Sequence, residues 1–220
     1  MFYETSKNDH GLSRPPFKSI AVPRPIGWIS TISKEGIPNL APFSQFTNLG
    51  FNPPYVVLSC NVNADGRRKD TVVNIEETGE FVHNMATYDL REAVSLCGAA
   101  FGPEVDEFEK AGLTKAPSRL VKPFRVAESP VQLECTLVES IRLPGDGPMG
   151  TVDVIIGKVV GVHIKDDYIT EDGKIDIEKI KPLARLGYTD YACVEKVFSI
   201  DPSTAAGVHS SFGMDGGATR

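Results

Sequence analysis

The chain lacks most of the features that mark common catalytic and binding scaffolds. Its four cysteines, Cys60, Cys97, Cys135 and Cys193, stand far apart with no C-x-x-C pair and no compact Cys/His grouping. That spacing argues against zinc and dithiol chemistry and predicts reduced, buried thiols. The histidines His10, His83, His163 and His209 are just as dispersed. No Ser/His/Asp or paired-carboxylate grouping follows from their positions, and each is expected on the surface or hydrogen-bonded in the core. No apolar run approaches the length of a membrane span. The opening MFYETSKNDHGLSRPPFK has no basic start followed by an apolar core, so the cytoplasm is the expected location. Positive charge is in deficit, with 23 Lys and Arg against 29 Asp and Glu for a net −6, which argues against nucleic acid or an anionic membrane as partner. Neither G-x-G-x-x-G nor G-x-x-x-x-G-K-[ST] occurs, so a bound nucleotide has to be held another way.

What is present is a strand-rich chain of 220 residues, long enough to bury a core without disulfides. One domain is expected over residues 1–202, followed by a small, polar, Gly-rich tail over 203–220 expected to dock on a partner subunit. Phe17 to Val22 reads as a short strand halted by the PRP of Pro23 to Pro25. IGWISTIS and IPNLAPFSQFTNL read as a hairpin around KEG, and FNPP turns the chain into the buried strand YVVLSC. Val72, Ile75 and Glu76 have helical spacing, with Asp70 or Thr71 as N-cap and Gly79 just past the end. EFVHNMA is a further strand. Thr87 caps a second expected helix that carries Leu90, Ala93, Val94 and Cys97 on one face, and PEVDEFEKAG a third that ends at Gly112. Val131, Leu133, Cys135 and Leu137 alternate with polar residues, and Val152, Val154 and Ile156 recur at period two, resuming at Val160. Long antiparallel strands joined by turns predict a barrel or sandwich, mainly β with added helices.

Two stretches have chemistry to offer. In GRRKDTVVNI, Arg67, Arg68 and Lys69 run into a helix start, where unpaired N–H groups, a partial positive charge and the Thr71 hydroxyl suit a phosphate monoester. By spacing alone a solvated basic turn is as good a reading. In PFSQFTN, Phe43 and Phe46 stand among hydroxyl and amide side chains, a mixture able to stack on a flat ring and bond its polar edge. One core and one exposed aromatic beside turn polars is the better reading of that stretch by its residues alone. The single Trp28 lies in a strand, where a core role is expected.

The residues NDHGL, PFKSIAVPRPIGWISTISKEGIPNLAPFSQFTNLGFNPPYVVLSC, KDTVVNIEETGEFVHNMATYDL, EFEKAGL, SPVQLEC and ARLGYTDYACVE occur in that order. Over about Asn8 to Asp201 the chain thereby resembles the flavin reductase-like family of FMN-binding split barrels, in its longer RPIGWIST branch. The resemblance implies a six-stranded antiparallel split barrel with extra helices, assembled as a homodimer with FMN near the subunit interface. It implies that Lys69, Asp70 and Thr71, with Arg67 and Arg68, hold the FMN phosphate. Ser44, Gln45, Phe46, Thr47 and Asn48 would line the isoalloxazine, Ser59, Cys60 and Asn61 would approach the ribityl chain, and Arg24 and Pro25 of RPIGW would form pocket wall. Tyr188, Tyr191 or Phe212 are candidates to cover the open ring face. The implied activity is an oxidoreductase that takes hydride from NADH or NADPH through FMN to free flavin or another acceptor. An electron carrier serving an acceptor protein shares all these features, and a non-catalytic barrel holding another phosphorylated ligand or haem is the third reading.

Overall fold

The computed structural model describes residues 1–147 and 149–200. Its strands begin with a two-residue piece, β1 (Arg24–Pro25), and a hairpin of β2 (Gly27–Ile32) and β3 (Pro38–Phe43). Turn chemistry sets that hairpin: the Ser33 hydroxyl accepts the N–H groups of Glu35 and Ile37, each at 3.2 Å, and Gly36 takes the positive φ of +87° that closes the turn. A second hairpin joins β4 (Phe46–Phe51) to β5 (Pro54–Asn61) through Asn52 and Pro53. The helix α1 (Asp70–Thr78) follows, then β6 (Glu80–Met85) and the short helices α2 (Arg91–Leu96) and α3 (Glu107–Lys110). The minimal pair β7 (Lys115–Ala116) and β8 (Arg125–Val126) precedes the long hairpin of β9 (Val131–Leu143) and β10 (Val152–Ile164). Last come α4 (Ile177–Ile180), β11 (Leu183–Gly187) and β12 (Asp190–Cys193).

The main sheet has the order β3-β2-β6-β9-β10-β5-β4, and every pairing in it is antiparallel. Its two edges, β3 and β4, are consecutive in the chain and joined only by Ser44 and Gln45. A link that short spans about 3.6 Å per residue at most. The sheet must therefore roll until its edges nearly meet, while the Ser59 N–H, donating to the Gln45 carbonyl at 2.9 Å, carries the β4–β5 ladder one residue into the link. The result is a barrel split between β3 and β4. Taken as one strand bent at Ser44–Gln45, these two complete the six strands expected. β1, β11 and β12 form a separate three-stranded sheet with Arg24 directly opposite Arg185.

Two cores result. Inside the barrel pack Ile29, Phe43, Leu58, Phe81 and Ile155, joined by Val72 and Ile75 of α1, both with no exposure. A nine-residue helix is too short to persist alone, and burying these two side chains, worth roughly 1.5–3 kcal/mol each, anchors it on the barrel. On the other side of β2, Trp28, Leu40, Val94, Cys97 and Phe108 form the second core under α2 and α3, with Leu90 and Ala93 packed against it.

Several expectations are corrected. Phe17 to Val22 is not a strand; Phe17–Ser19 is one 3-10 turn, and Phe17 and Ile20 are exposed, so no buried face holds the segment extended. The N-cap of α1 is Lys69, acting through its backbone, and neither Asp70 nor Thr71, which are already helical. Thr87 does not cap α2: it bridges to Pro182, and that pairing delays the helix start to Arg91, after Leu90. The third helix is shorter than expected, because the Asp106 side chain caps it by accepting from the N–H groups of Phe108 and Glu109. In β10 the buried phase is Asp153, Ile155, Gly157 and Val159, and the apolar phase of Val152, Val154 and Ile156 points outward.

Candidate functional site

The three cations before α1 have different partners. A turn closed by Asn63 N–H to Arg67 carbonyl at 2.8 Å, with Gly66 at φ +83°, precedes the helix. Within it Arg67 is neutralised by Asp65, whose carboxylate accepts the Arg67 main-chain N–H at 3.0 Å and its Nε at 2.7 Å. Arg68 forks onto both oxygens of Glu76 at 2.6 Å and onto both of Asp153 at 3.2 Å. Asp153 is 1% exposed and has a further cation, Arg142, at 3.7 Å. Hydrogen bonding from Arg68 holds the Glu76 carboxyl below the usual carboxylate range. Lys69, in contrast, has no carboxylate partner among the described residues. It stands beside the N–H groups of Asp70 and Thr71, which as the first residues of the helix have no intrahelical acceptor.

The Thr71 hydroxyl is engaged in a buried relay. It donates to Asn39 Oδ1 at 2.9 Å, the Asn39 amide donates to Glu107 Oε1 at 3.0 Å, and the Leu40 N–H donates to Glu107 Oε2 at 2.9 Å. Glu107 has no cation partner among the described residues, and desolvation raises its pKa above the ordinary value. What the helix start presents to a ligand is therefore the Lys69 ammonium and backbone N–H groups, with Thr71 held in place from below.

These residues line a cleft of about 520 Å³, bounded by Asn39, Pro42, Lys69, Thr71, Gly98 and Glu107. At Pro42 and Gly98 it meets a second cleft of about 700 Å³, lined by Arg24, Ser44, Gln45, Asn61, Tyr188 and Tyr191 among others. Each volume lies within the roughly 300–1,000 Å³ of small-molecule sites. Ser44 and Gln45 belong to no strand, and of their main-chain groups the Gln45 carbonyl is taken by the Ser59 N–H at 2.9 Å. The tyrosines expected to cover a ring thus border the groove; Phe212 and the tail lie outside the described residues.

Of the residues singled out from sequence, Arg67, Lys69, Asp70 and Thr71 line the first cleft, and Arg24, Ser44, Gln45 and Asn61 line the second. The others are placed elsewhere. Phe46 turns inward, stacked on His83 at 4.2 Å between ring centroids, and covers Gly27 so closely that a Cβ there would meet its ring at 2.7 Å. Cys60 is 2% exposed in the barrel core, where burial pushes its thiol up. Thr47 and Asn48 are exposed on β4, Pro25 is exposed on β1, Ser59 lies on β5 outside both clefts, and Arg68 is spent on its carboxylates. Sequence reasoning missed Asn39, Gly98, Glu107, Lys18 and Arg185, because nothing in local spacing signals residues that only the rolled sheet brings together.

Elsewhere the plainer readings describe the chain. Trp28 is core, and Cys97 and Cys135 are buried with thiols pushed up to about 12, although Cys193 is only half-buried. His83 departs from these readings: it is buried with no hydrogen-bond partner for Nδ1 among the described residues, and burial holds its pKa down to about 3, whereas His163 bonds Glu134 at 2.5 Å. Glu134 also accepts the N–H groups of Arg119, Leu120 and Val121. The described residues contain no group of side chains arranged to hold a metal ion, and none of their helices is long and apolar enough to cross a membrane.

Comparison with known proteins places this arrangement. The family model described as "Flavin reductase like domain" matches residues 19–184. An uncharacterized protein of Aquifex aeolicus is 42% identical over 168 residues, 76% of this chain and 83% of that one. Component B of nitrilotriacetate monooxygenase from Bacillus cereus superposes with a TM-score of 0.82 at 30% identity, covering 91% of this chain and 98% of the other. The 2-nitrobenzoate 2-nitroreductase of Pseudomonas fluorescens does so with a TM-score of 0.80 at 25% identity, covering 96% and 100%.

Proposed function

Because the chain belongs to the flavin reductase like family, we propose that it binds FMN in the two-part groove and acts as an oxidoreductase. In this reading it takes electrons from NADH or NADPH and passes them to free flavin or another acceptor. The observation that carries it is Lys69: an ammonium without a carboxylate partner among the described residues, at the start of a nine-residue helix, facing a cleft. Charge-assisted bonds to a phosphate and the free N–H groups of the helix start suit the monoester of FMN.

FMN, when bound, supplies the hydride-accepting ring, which is chemistry the side chains lack. The chain's task is to orient and shield it. Lys69 and the helix start fix the phosphate, and the Glu107–Asn39–Thr71 relay fixes the helix start. Ser44 and the Gln45 side chain offer polar groups to the edge of a ring at the split of the barrel. Behind them the Phe46–His83 stack over Gly27 makes an unyielding floor. Tyr188 and Tyr191 stand at the outer wall.

The same reading makes the protein a homodimer. The outward face of the barrel carries Val57, Val154, Ile156, Ile141 and Leu143 on neighbouring strands, with Ile141 42% and Leu143 49% exposed. A contiguous apolar face of this kind marks an interaction surface. Asn61, which pairs with Val152 at its margin, also lines the second cleft, so a partner seated there would border the groove.

The test is the visible spectrum of the purified protein after FMN addition, followed by anaerobic mixing with NADH and with NADPH. Retained flavin absorbance that bleaches with either nucleotide is the expected outcome. A colourless protein that ignores FMN would sink the flavin reading. A flavin that neither nucleotide bleaches, but a reduced ferredoxin-type protein does, would replace the reductase with an electron carrier.

A further inference from the structure

The second cleft holds a charge arrangement that one flavin phosphate leaves unused. Arg24 and Arg185 are direct cross-strand partners in the β1–β11 ladder, and both line the cleft together with Lys18. Like charges placed directly opposite in a sheet are destabilising. Yet no aspartate or glutamate among the described residues lines this cleft, although acidic residues outnumber basic ones in the chain. Arg24 donates through Nη1 to the carbonyls of Lys18 at 2.5 Å and Ala21 at 3.0 Å, while its buried Nε has no partner. Arg185 donates to the Tyr188 carbonyl, and its guanidinium lies 4.5 Å over the Tyr191 ring. Both guanidiniums are thus oriented by uncharged groups, with their charge uncompensated among the described residues. Beside them Tyr188 and Tyr191 provide flat aromatic surface.

The groove therefore has two cationic ends, Lys69 with the helix start at one and Arg24, Arg185 and Lys18 at the other, meeting at Pro42 and Gly98. We propose that the Arg24–Arg185 pair is a second anion site, which takes the phosphate or carboxylate of the planar substrate that exchanges electrons with the bound flavin. This rests on the flavin reading above and adds to it a substrate class: a flat ring bearing an anion, with a dihydronicotinamide dinucleotide as the phosphate source and an aromatic carboxylate as the alternative source. A guanidinium fork matches either anion in a way a lysine does not.

The test compares FMN-loaded wild type, Arg185→Ala and Arg185→Lys. Calorimetric titration uses NADP+ and benzoate, and rapid reduction uses NADPH and the uncharged 1-benzyl-1,4-dihydronicotinamide. Loss of one charge-assisted contact is expected to weaken NADP+ binding and NADPH half-saturation by about tenfold or more in Arg185→Ala. Reduction by the uncharged donor and the affinity for FMN stay within about twofold on the same reasoning, and Arg185→Lys recovers part of the loss. Weakening confined to benzoate would support the site with a carboxylate as its anion. The proposal is overturned if neither anion is weakened, if the uncharged donor suffers equally, or if FMN itself is lost, which would assign Arg185 to the flavin. Titrating flavin-free protein with NADP+ separates the two readings: an Arg185-dependent signal in a chain that never takes up FMN would remove the flavin and leave the anion site.

Discussion

At the scale of single residues, the basic cluster divides into two arginines paired with carboxylates and one lysine without such a partner among the described residues. Lys69→Ala is expected to weaken FMN by about 10- to 100-fold, from a charge-assisted contact worth roughly 1.5–3 kcal/mol, and to leave riboflavin almost unchanged. Arg68→Ala should instead lower stability without discriminating between the two ligands. Among the described residues it leaves the buried Asp153 with only Arg142 at 3.7 Å as a cation, at a cost of about 3 kcal/mol, while the FMN-to-riboflavin ratio holds. Paired affinity titrations and thermal melts of both variants check this, and a phosphate-selective loss in Arg68→Ala would reverse the assignment. His83 gives a second test. Burial depresses its pKa from the ordinary 6.5 to about 3, so its contribution to stability is complete above pH 6.5 and declines as pH falls towards 3, where the unfolded chain gains a proton that the folded one refuses. Replacing His83 with Phe should flatten that acid limb by up to about 1.4 kcal/mol per pH unit, read from denaturant unfolding across the window. An unchanged slope would mean that another group governs it.

At the scale of elements, the junction between β3 and β4 decides the site. Its geometry depends on β2, where Gly27 lies under Phe46 with room for no Cβ: the nearest ring and Cβ atoms would stand 2.7–2.8 Å away. Those atoms sit near the root of the side chain and cannot swing clear, so Gly27→Ala must displace Phe46 from His83 or move a strand. We expect a loss of about 1–3 kcal/mol, the usual cost of overpacking, in the denaturant midpoint. Weaker flavin retention should accompany it, because Ser44 and Gln45 directly precede Phe46. Unchanged stability would show that the stack is loose. In β9 and β10 the apolar pattern was visible, but the side it faces was not. Both phases of β10 carry valine or isoleucine, and the bulges between Ile156 and Gly157 and between Val159 and Gly161 shift the register midway.

At the scale of the whole molecule, that outward apolar phase is the strongest reason to expect two chains. Ile141→Asp places a charge in the middle of the face and should convert the proposed homodimer to monomer, as read by sedimentation or light scattering. FMN affinity should fall with it, since Asn61 joins the face to the second cleft. A wild type that sediments as a monomer would remove the dimer from the reading.

The sequence by itself determined most element types and strand positions and the presence of a helix after the basic cluster, because turn residues, period-two runs and caps act over a few neighbouring positions, and its ordered motifs determined the family. It could not tell which of three adjacent cations lacks a carboxylate partner among the described residues, since Arg68 is claimed by Asp153, 85 positions away. Nor could it tell that Phe46 and Cys60 turn inward while Gln45 and Asn61 line the groove. Those choices followed from rolling the sheet until β3 and β4 met at its split, which fixes for each strand the side that faces the core. Only the tertiary structure set Arg24 opposite Arg185, because sheet pairing joins positions that no local pattern relates.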